Sequence, residues 1–157
     1  MKNILLLLFI LPAFVFAFPK NCTTDNIVYD KGVLKIANKK QAQQVILIQN
    51  KSKQVFWLNH EMPQPSASAG WASRIQPGHW SALALDKNTF SLVCTAMKPG
   101  DVYYFDCQKK ITACQLASTK VTQLKINGGT YWWREDMTKE QLHSAIKEYK
   151  AKNAKAH

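Results

Sequence analysis

Arginine is almost missing from this chain. Of its 21 basic residues only Arg74 and Arg134 carry a guanidinium, the planar donor suited to base edges and phosphates. Specific nucleic-acid readout is excluded on that ground, while diffuse attraction to polyanions is not. Acidic residues are also sparse: 10 Asp and Glu leave a formal net charge of +11, a surface that draws anionic glycans and membrane surfaces. Beyond the N-terminus no apolar run approaches the roughly 20 residues of a membrane span. The cysteines and histidines form no CxxC or HxxxH pair, which argues against a zinc site. A GxSxG elbow, an HExxH helix and a phosphate loop are absent as well, so the common hydrolase and nucleotide-binding signatures are missing. With no internal repeat and no low-complexity linker, one domain is expected.

What is present begins with an address. Lys2 is followed by an apolar run over 4–16, broken by Pro12, and then by Val15-Phe16-Ala17. This pattern predicts a signal peptide over 1–17, cleaved after Ala17. Cys22 lies too far beyond the small residues for lipidation. The exported chain carries four cysteines, Cys22, Cys94, Cys107 and Cys114, and an oxidising compartment favours two disulfides. Cys94 and Cys107 lie symmetrically about Gly100-Asp101, so a hairpin turning there pairs them and leaves Cys22 with Cys114. A local Cys107–Cys114 bridge with Cys22–Cys94 is the alternative.

Short apolar segments separated by turn residues follow. Val33 and Ile36 mark a strand reached from Ile27 and Tyr29 through Asp30-Lys31-Gly32. The run 45–48, VILI, reads as a strand buried on both faces, and QVILIQNKSKQVFWLNH reads as one hairpin. A second hairpin is read over 66–86, its strands separated by Pro77-Gly78. Its small residues suit close cover by another layer. Residues 89–96 and 102–107 form a further pair around Pro99-Gly100, with weaker strands at 111–116 and 121–126. Asn127-Gly128-Gly129 turns the chain into 130–134. Short strands with frequent turns predict a mainly β fold, an antiparallel β-sandwich, with a β-barrel as the competitor. Thr138 and Gln141 then frame a helix start, and Leu142, Ala145, Ile146 and Tyr149 form a narrow apolar stripe. An amphipathic C-terminal helix over about 139–151 follows. The expected organisation is a signal peptide, a sandwich over 18–136, and a helix with a basic tail over 137–157.

Catalytic candidates are few. His60 and His79 stand near strand ends, and Asp86, Asp101, Asp106, Glu135 and Asp136 supply carboxylates without a telling spacing. Disulfide-bound cysteines offer no thiolate. Five tryptophans, Trp57, Trp71, Trp80, Trp132 and Trp133, are more informative. Adjacent Trp132 and Trp133 on a strand must point to opposite faces. Exposed Trp among basic residues suits sugar stacking or a protein interface, and Trp71, Arg74, His79 and Trp80 are the expected contact residues. Asn21-Cys22-Thr23 and Asn50-Lys51-Ser52 are acceptor sequons, relevant only in a eukaryotic secretory pathway.

The runs QNKSKQVFWLNH, PSASAGWASRIQPGHWSALALD and FSLVC resemble the enhanced-entry protein EnhB family of intracellular Gram-negative bacteria, over about 45–131. The resemblance implies an exported, non-enzymatic envelope protein associated with host-cell entry. It supplies no functional residues. The reading is therefore a periplasmic, cell-surface or secreted binding protein without cofactor or metal. Its partner would be an envelope or host-surface protein, or an anionic glycan. The rivals are an interaction or inhibitor module for another envelope protein, using the Tyr149-bearing helix, and a small secreted hydrolase.

Overall fold

The computed structural model describes residues 19–38, 44–61, 72–86, 89–98, 101–116 and 130–154. The signal segment, Trp71, the turns at 87–88, 99–100 and 127–129, the strand expected over 121–126 and His157 lie outside the described residues.

Two antiparallel sheets face each other. The first runs β1 (Cys22–Thr23), β10 (Ile111–Leu116), β4 (Gln44–Asn50), β7 (Trp80–Leu85), β11 (Tyr131–Met137). The second runs β2 (Ile27–Asp30), β3 (Val33–Ala37), β8 (Thr89–Lys98), β5 (Phe56–His60), β6 (Ala72–Ile75), with β9 (Asp101–Phe105) also on β8. The sheets do not close into a barrel. β8 is long enough to carry β3 along residues 89–92 and β9 along 94–98, while β5 holds its other edge.

Alternation along each strand decides which side chains enter the core. Ile46 and Ile48 of β4, with Leu83 and Leu85 of β7, meet Leu34, Ile36, Phe56, Leu58, Ile75 and Leu92 of the second sheet in one buried cluster. The other two residues of the VILI run in β4, Val45 and Leu47, point outwards and are covered by helix α2 (Lys139–Ala154). All seven residues of β4 are therefore buried, as a continuous VILI run requires. The same logic holds in β7, whose outward residues are Trp80, Ala82 and Ala84. Two alanines there let the helix lie close, so the small residues have a third layer above them.

Helix α2 begins as its sequence indicated. Gln141 N–H donates to Thr138 Oγ1 at 3.3 Å, and Thr138 N–H donates to Gln141 Oε1 at 2.8 Å, the reciprocal pair of a capping box. Leu142, Ala145, Ile146 and Tyr149 form its docked stripe. Its end lies three residues beyond the expected one.

Both disulfides follow the hairpin-based pairing. Cys94 joins Cys107, with Cα atoms 5.4 Å apart, after β8 and β9 pair from Lys98↔Asp101 to Cys94↔Phe105. Cys107 opens the short helix α1 (Cys107–Lys110), capped by Asp106, whose carboxylate accepts from Gln108 N–H. Cys22 joins Cys114 at a Cα separation of 5.5 Å, fastening the two-residue β1 to β10. Two such bridges are compatible with an oxidising, extracytoplasmic compartment.

Two expected hairpins are not formed. β6 pairs with β5 in the second sheet, while β7 pairs with β4 and β11 in the first. The reason lies in the turn. His79 N–H donates to Gln76 O at 3.0 Å and Gly78 has φ +77°, which with Pro77 ahead of it is a type II turn. Types I and II splay the strands of a two-residue hairpin, whereas primed turns match their twist. At the β2–β3 turn, by contrast, Lys31 and Gly32 both have positive φ, 48° and 84°, the type I′ form, and that hairpin closes.

The segment QVILIQNKSKQVFWLNH likewise crosses from β4 to β5 in the opposite sheet. Asn50, wholly buried, organises the crossing. Its Nδ2 donates to Gln54 O at 2.8 Å and Ile75 O at 3.1 Å, while its Oδ1 accepts from Ser52 N–H and Ser52 Oγ–H. An amide so engaged does not accept a glycan in the folded chain.

Candidate functional site

The four residues expected to make contact do not form one surface. Arg74 is exposed on the outward side of β6. Trp80 is only 5% exposed and lies under α2 on the far side of the first sheet. Arg74 and Trp80 thus sit on opposite outer faces of the sandwich, because the turn between their strands is a corner from sheet to sheet. His79 is half-buried in that corner, and Trp71 lies outside the described residues.

Arg74 instead has partners that the sequence did not reveal. Across the second sheet Arg74 lies opposite Trp57, Trp57 opposite Thr95, and Thr95 opposite Tyr104. Residues in register share a face, so β6, β5, β8 and β9 set Arg74, Trp57, Thr95 and Tyr104 in one outward row, about 14 Å long at the usual interstrand spacing. Tyr104 is 68% exposed and its neighbour Val102 55%, while Trp57 is half-buried. Thr95 is buried between the aromatic residues, and its Oγ1 accepts a hydrogen bond from Asn59 Nδ2. The row offers aromatic surface, a guanidinium and a hydrogen-bonded Thr–Asn pair. That combination suits stacking of an apolar ring face with a negative group at one end. One local signal pointed here: Phe56-Trp57-Leu58 are consecutive, and with Phe56 and Leu58 inside, Trp57 must face out.

The corner holds a second arrangement. Asp136 Oδ1 accepts from Gln76 N–H at 2.7 Å, and Oδ2 accepts from Gln76 Nε2 at 3.0 Å. His79 Nδ1 lies 3.0 Å from Asp136 Oδ1 and 3.1 Å from its backbone oxygen. Both are acceptors, so Nδ1 carries the proton. Asp136 N–H donates to Ser81 Oγ, which shares a 2.9 Å hydrogen bond with Ser73 Oγ. Ser73 and Ser81 are wholly buried, so their hydroxyls link the two sheets. Partial burial pushes the Asp136 carboxyl up, but the two Gln76 N–H groups and His79 outweigh it and hold it below the usual carboxylate range. Asp136 itself stands at φ 47°, a left-handed conformation that Asp tolerates better than most residues. This His–Asp pair resembles the orienting half of a catalytic dyad, yet the nearby hydroxyls are buried and committed to the inter-sheet link. Its evident work is to fix the point where β11 turns into α2.

The other candidates disperse. His60 stacks on Phe90 with ring centroids 4.2 Å apart, and His143 is exposed on α2. Asp86 accepts from Thr130 Oγ1 at 2.7 Å, and Asp106 caps α1. Tyr149, offered as a contact on the helix, is 4% exposed and packs on Trp133 with ring centroids 6.0 Å apart. Trp132 turns to the inter-sheet core and Trp133 to the helix, so the adjacent pair does divide between faces. A shallow cleft of about 450 Å³ between β11 and α2 is lined by Arg134, Glu135, Glu140, Gln141 and Glu148. Arg134 crosses it to Glu148 at 3.2 Å and lies over the Trp133 ring. Among the described residues no group of three or more His, Cys, Asp or Glu is placed to hold a metal ion, and no helix is long and apolar enough to cross a membrane. Comparison with protein-family models, with curated proteins and with solved structures finds no match.

Proposed function

We propose that this chain is an exported, non-enzymatic binding protein that works in the periplasm, at the cell surface or after secretion, with the second sheet as its contact face. The observation that carries the reading is the asymmetry of the two outer faces. α2 covers the first sheet, whereas the second presents the row Arg74, Trp57, Thr95 and Tyr104. Aromatic and arginine side chains are the usual anchors of protein and ligand contacts. The excess of basic residues favours an anionic partner, and an anionic glycan of an envelope or host surface fits the stacking row best. The resemblance to enhanced-entry proteins gives the same direction, contact with a host surface during entry.

The test is binding of the oxidised chain to immobilised sulfated and uronic-acid glycans, with host-cell surfaces and envelope extract in parallel. Trp57→Ala with Tyr104→Ala is expected to weaken glycan binding about tenfold or more, as for loss of paired aromatic anchors. Arg74→Ala should lower affinity and flatten its salt dependence. Undiminished binding by the double variant, or capture only of an envelope protein through α2, would remove this reading.

A further inference from the structure

Helix α2 carries its charges on separate flanks. The apolar stripe Leu142, Ala145, Ile146 and Tyr149 is docked on the first sheet. To one side of that stripe, Glu140, Gln141, Ser144 and Glu148 face the cleft beside β11. Both glutamates are engaged there: Glu148 receives Arg134, and the Glu140 carboxylate accepts from its own N–H and from the Thr138 side chain. To the other side stand Lys139, His143, Lys147 and Lys150, all exposed. A helix rises about 1.5 Å and turns about 100° per residue, so these four positions share an arc of about 80° in a row about 16 Å long. Among the described residues no carboxylate lies within ion-pair distance of Lys139, Lys147 or Lys150. Lys150 Nζ is 3.3 Å from the neutral side-chain amide of Asn21, and the exposed Lys20, next in the chain, adds a further basic position by the β1 edge of the sheet.

We propose that this row docks the protein on an anionic bilayer, through charge and without insertion. The apolar face of α2 is committed to the sheet, so what the helix turns outwards is a line of point charges. Lysine is compact and strongly hydrated, which suits a dense field of lipid phosphates, whereas a fixed pattern of sulfates or carboxylates calls for the planar fork of arginine or a stacking ring. The row has neither. A straight helix lying along the outside of a sheet also presents its row as a line on a flat face, the shape that meets a membrane surface along its whole length. Each lysine near anionic lipid raises partition roughly fivefold, so the three together give about a hundredfold. The inference goes beyond the glycan reading and does not depend on it. The lysine row and the aromatic row occupy opposite outer faces of the sandwich, so a docked molecule turns its second sheet away from the bilayer.

Cosedimentation of the oxidised chain with lipid vesicles tests it. Vesicles of phosphatidylcholine alone are compared with vesicles containing about one third phosphatidylglycerol, so that any binding through the apolar run over 4–16 appears in both. Stronger partition into the anionic vesicles is expected, and it should disappear at high salt. Lys139→Gln, Lys147→Gln and Lys150→Gln together should lower it about a hundredfold with circular dichroism unchanged. The same loss of charge at Lys31, Lys51 and Lys53, which are exposed outside the helix, should lower it only about threefold or less. Lys147→Glu alone should cost about tenfold or more, and it carries the test if the triple variant does not fold. Equal partition into both kinds of vesicle, or equal losses from the two triple variants, would overturn the inference. So would a helix variant that binds anionic vesicles like the parent and loses only a sulfated glycan.

Discussion

Asp136 concentrates several demands in one residue. It sits in a left-handed conformation, receives three N–H groups on its carboxylate, and lies one residue before the end of the strand that leads into α2. Asp136→Asn keeps the shape and the tolerance for positive φ but removes the charge. Stability at neutral pH is expected to fall by about 1–3 kcal/mol, the cost of charge-assisted hydrogen bonds lost at a partly buried site. The sign of the pH dependence follows from the depressed pKa. The stabilisation is complete above the ordinary carboxylate value, near pH 4, and is lost as pH falls through the lower folded value. Denaturation curves of parent and variant should therefore differ most at neutral pH and converge as pH falls through the lowered folded value. A constant gap across that range would show that the carboxylate charge is not the cause.

Among the elements, β7 and α2 show how spacing follows from residue size. Ala82 and Ala84 lie in the cluster that α2 completes with Leu142, Ala145, Ile146 and Tyr149. Ala84→Leu should overfill that layer and cost about 1–3 kcal/mol, measured by chemical denaturation, with no loss of the inter-sheet core. This layer was partly legible, since small residues in β7 called for close cover and the stripe on α2 supplied it. The first hairpin, the capping box and the Cys94–Cys107 bridge were legible too, because each depends on residues close in sequence or symmetric about a turn, and Cys22–Cys114 followed as the pair that remained. The partners of β4, β6 and β7 were not. A Pro-Gly pair announces a turn, but whether the flanking strands pair depends on turn handedness and on which sheet has a vacant edge, and neither is written locally. That miss displaced the expected site. Arg74, His79 and Trp80 are near neighbours in sequence, yet the corner sends one to each outer face and leaves the third between. The row with Trp57 and Tyr104 needs four strands in register, and only the assembled sheet supplies it.

For the whole molecule, the two disulfides differ in what they constrain. Cys22–Cys114 closes a separation of 92 residues and Cys94–Cys107 one of 13. On the chain-entropy account the long bridge contributes about 4–5 kcal/mol and the short one about 3. Replacing Cys22 and Cys114 with Ser should therefore lower stability more than replacing Cys94 and Cys107. Denaturation midpoints of the two double variants, compared with the reduced parent, give the order.

The crossing at Asn50 and the corner at Pro77-Gly78 also bear on how this chain reaches its native state. Because neighbours in sequence part into different layers, β4 must wait for β7 and β10, and β7 for β11. Few local ladders can nucleate, and most of the closure entropy is spent before any distant strand arrives. Slow maturation is the consequence, with the VILI run of β4 uncovered in the interval and open to misassembly, so a newly made chain would gain from a holding chaperone until the sheets close.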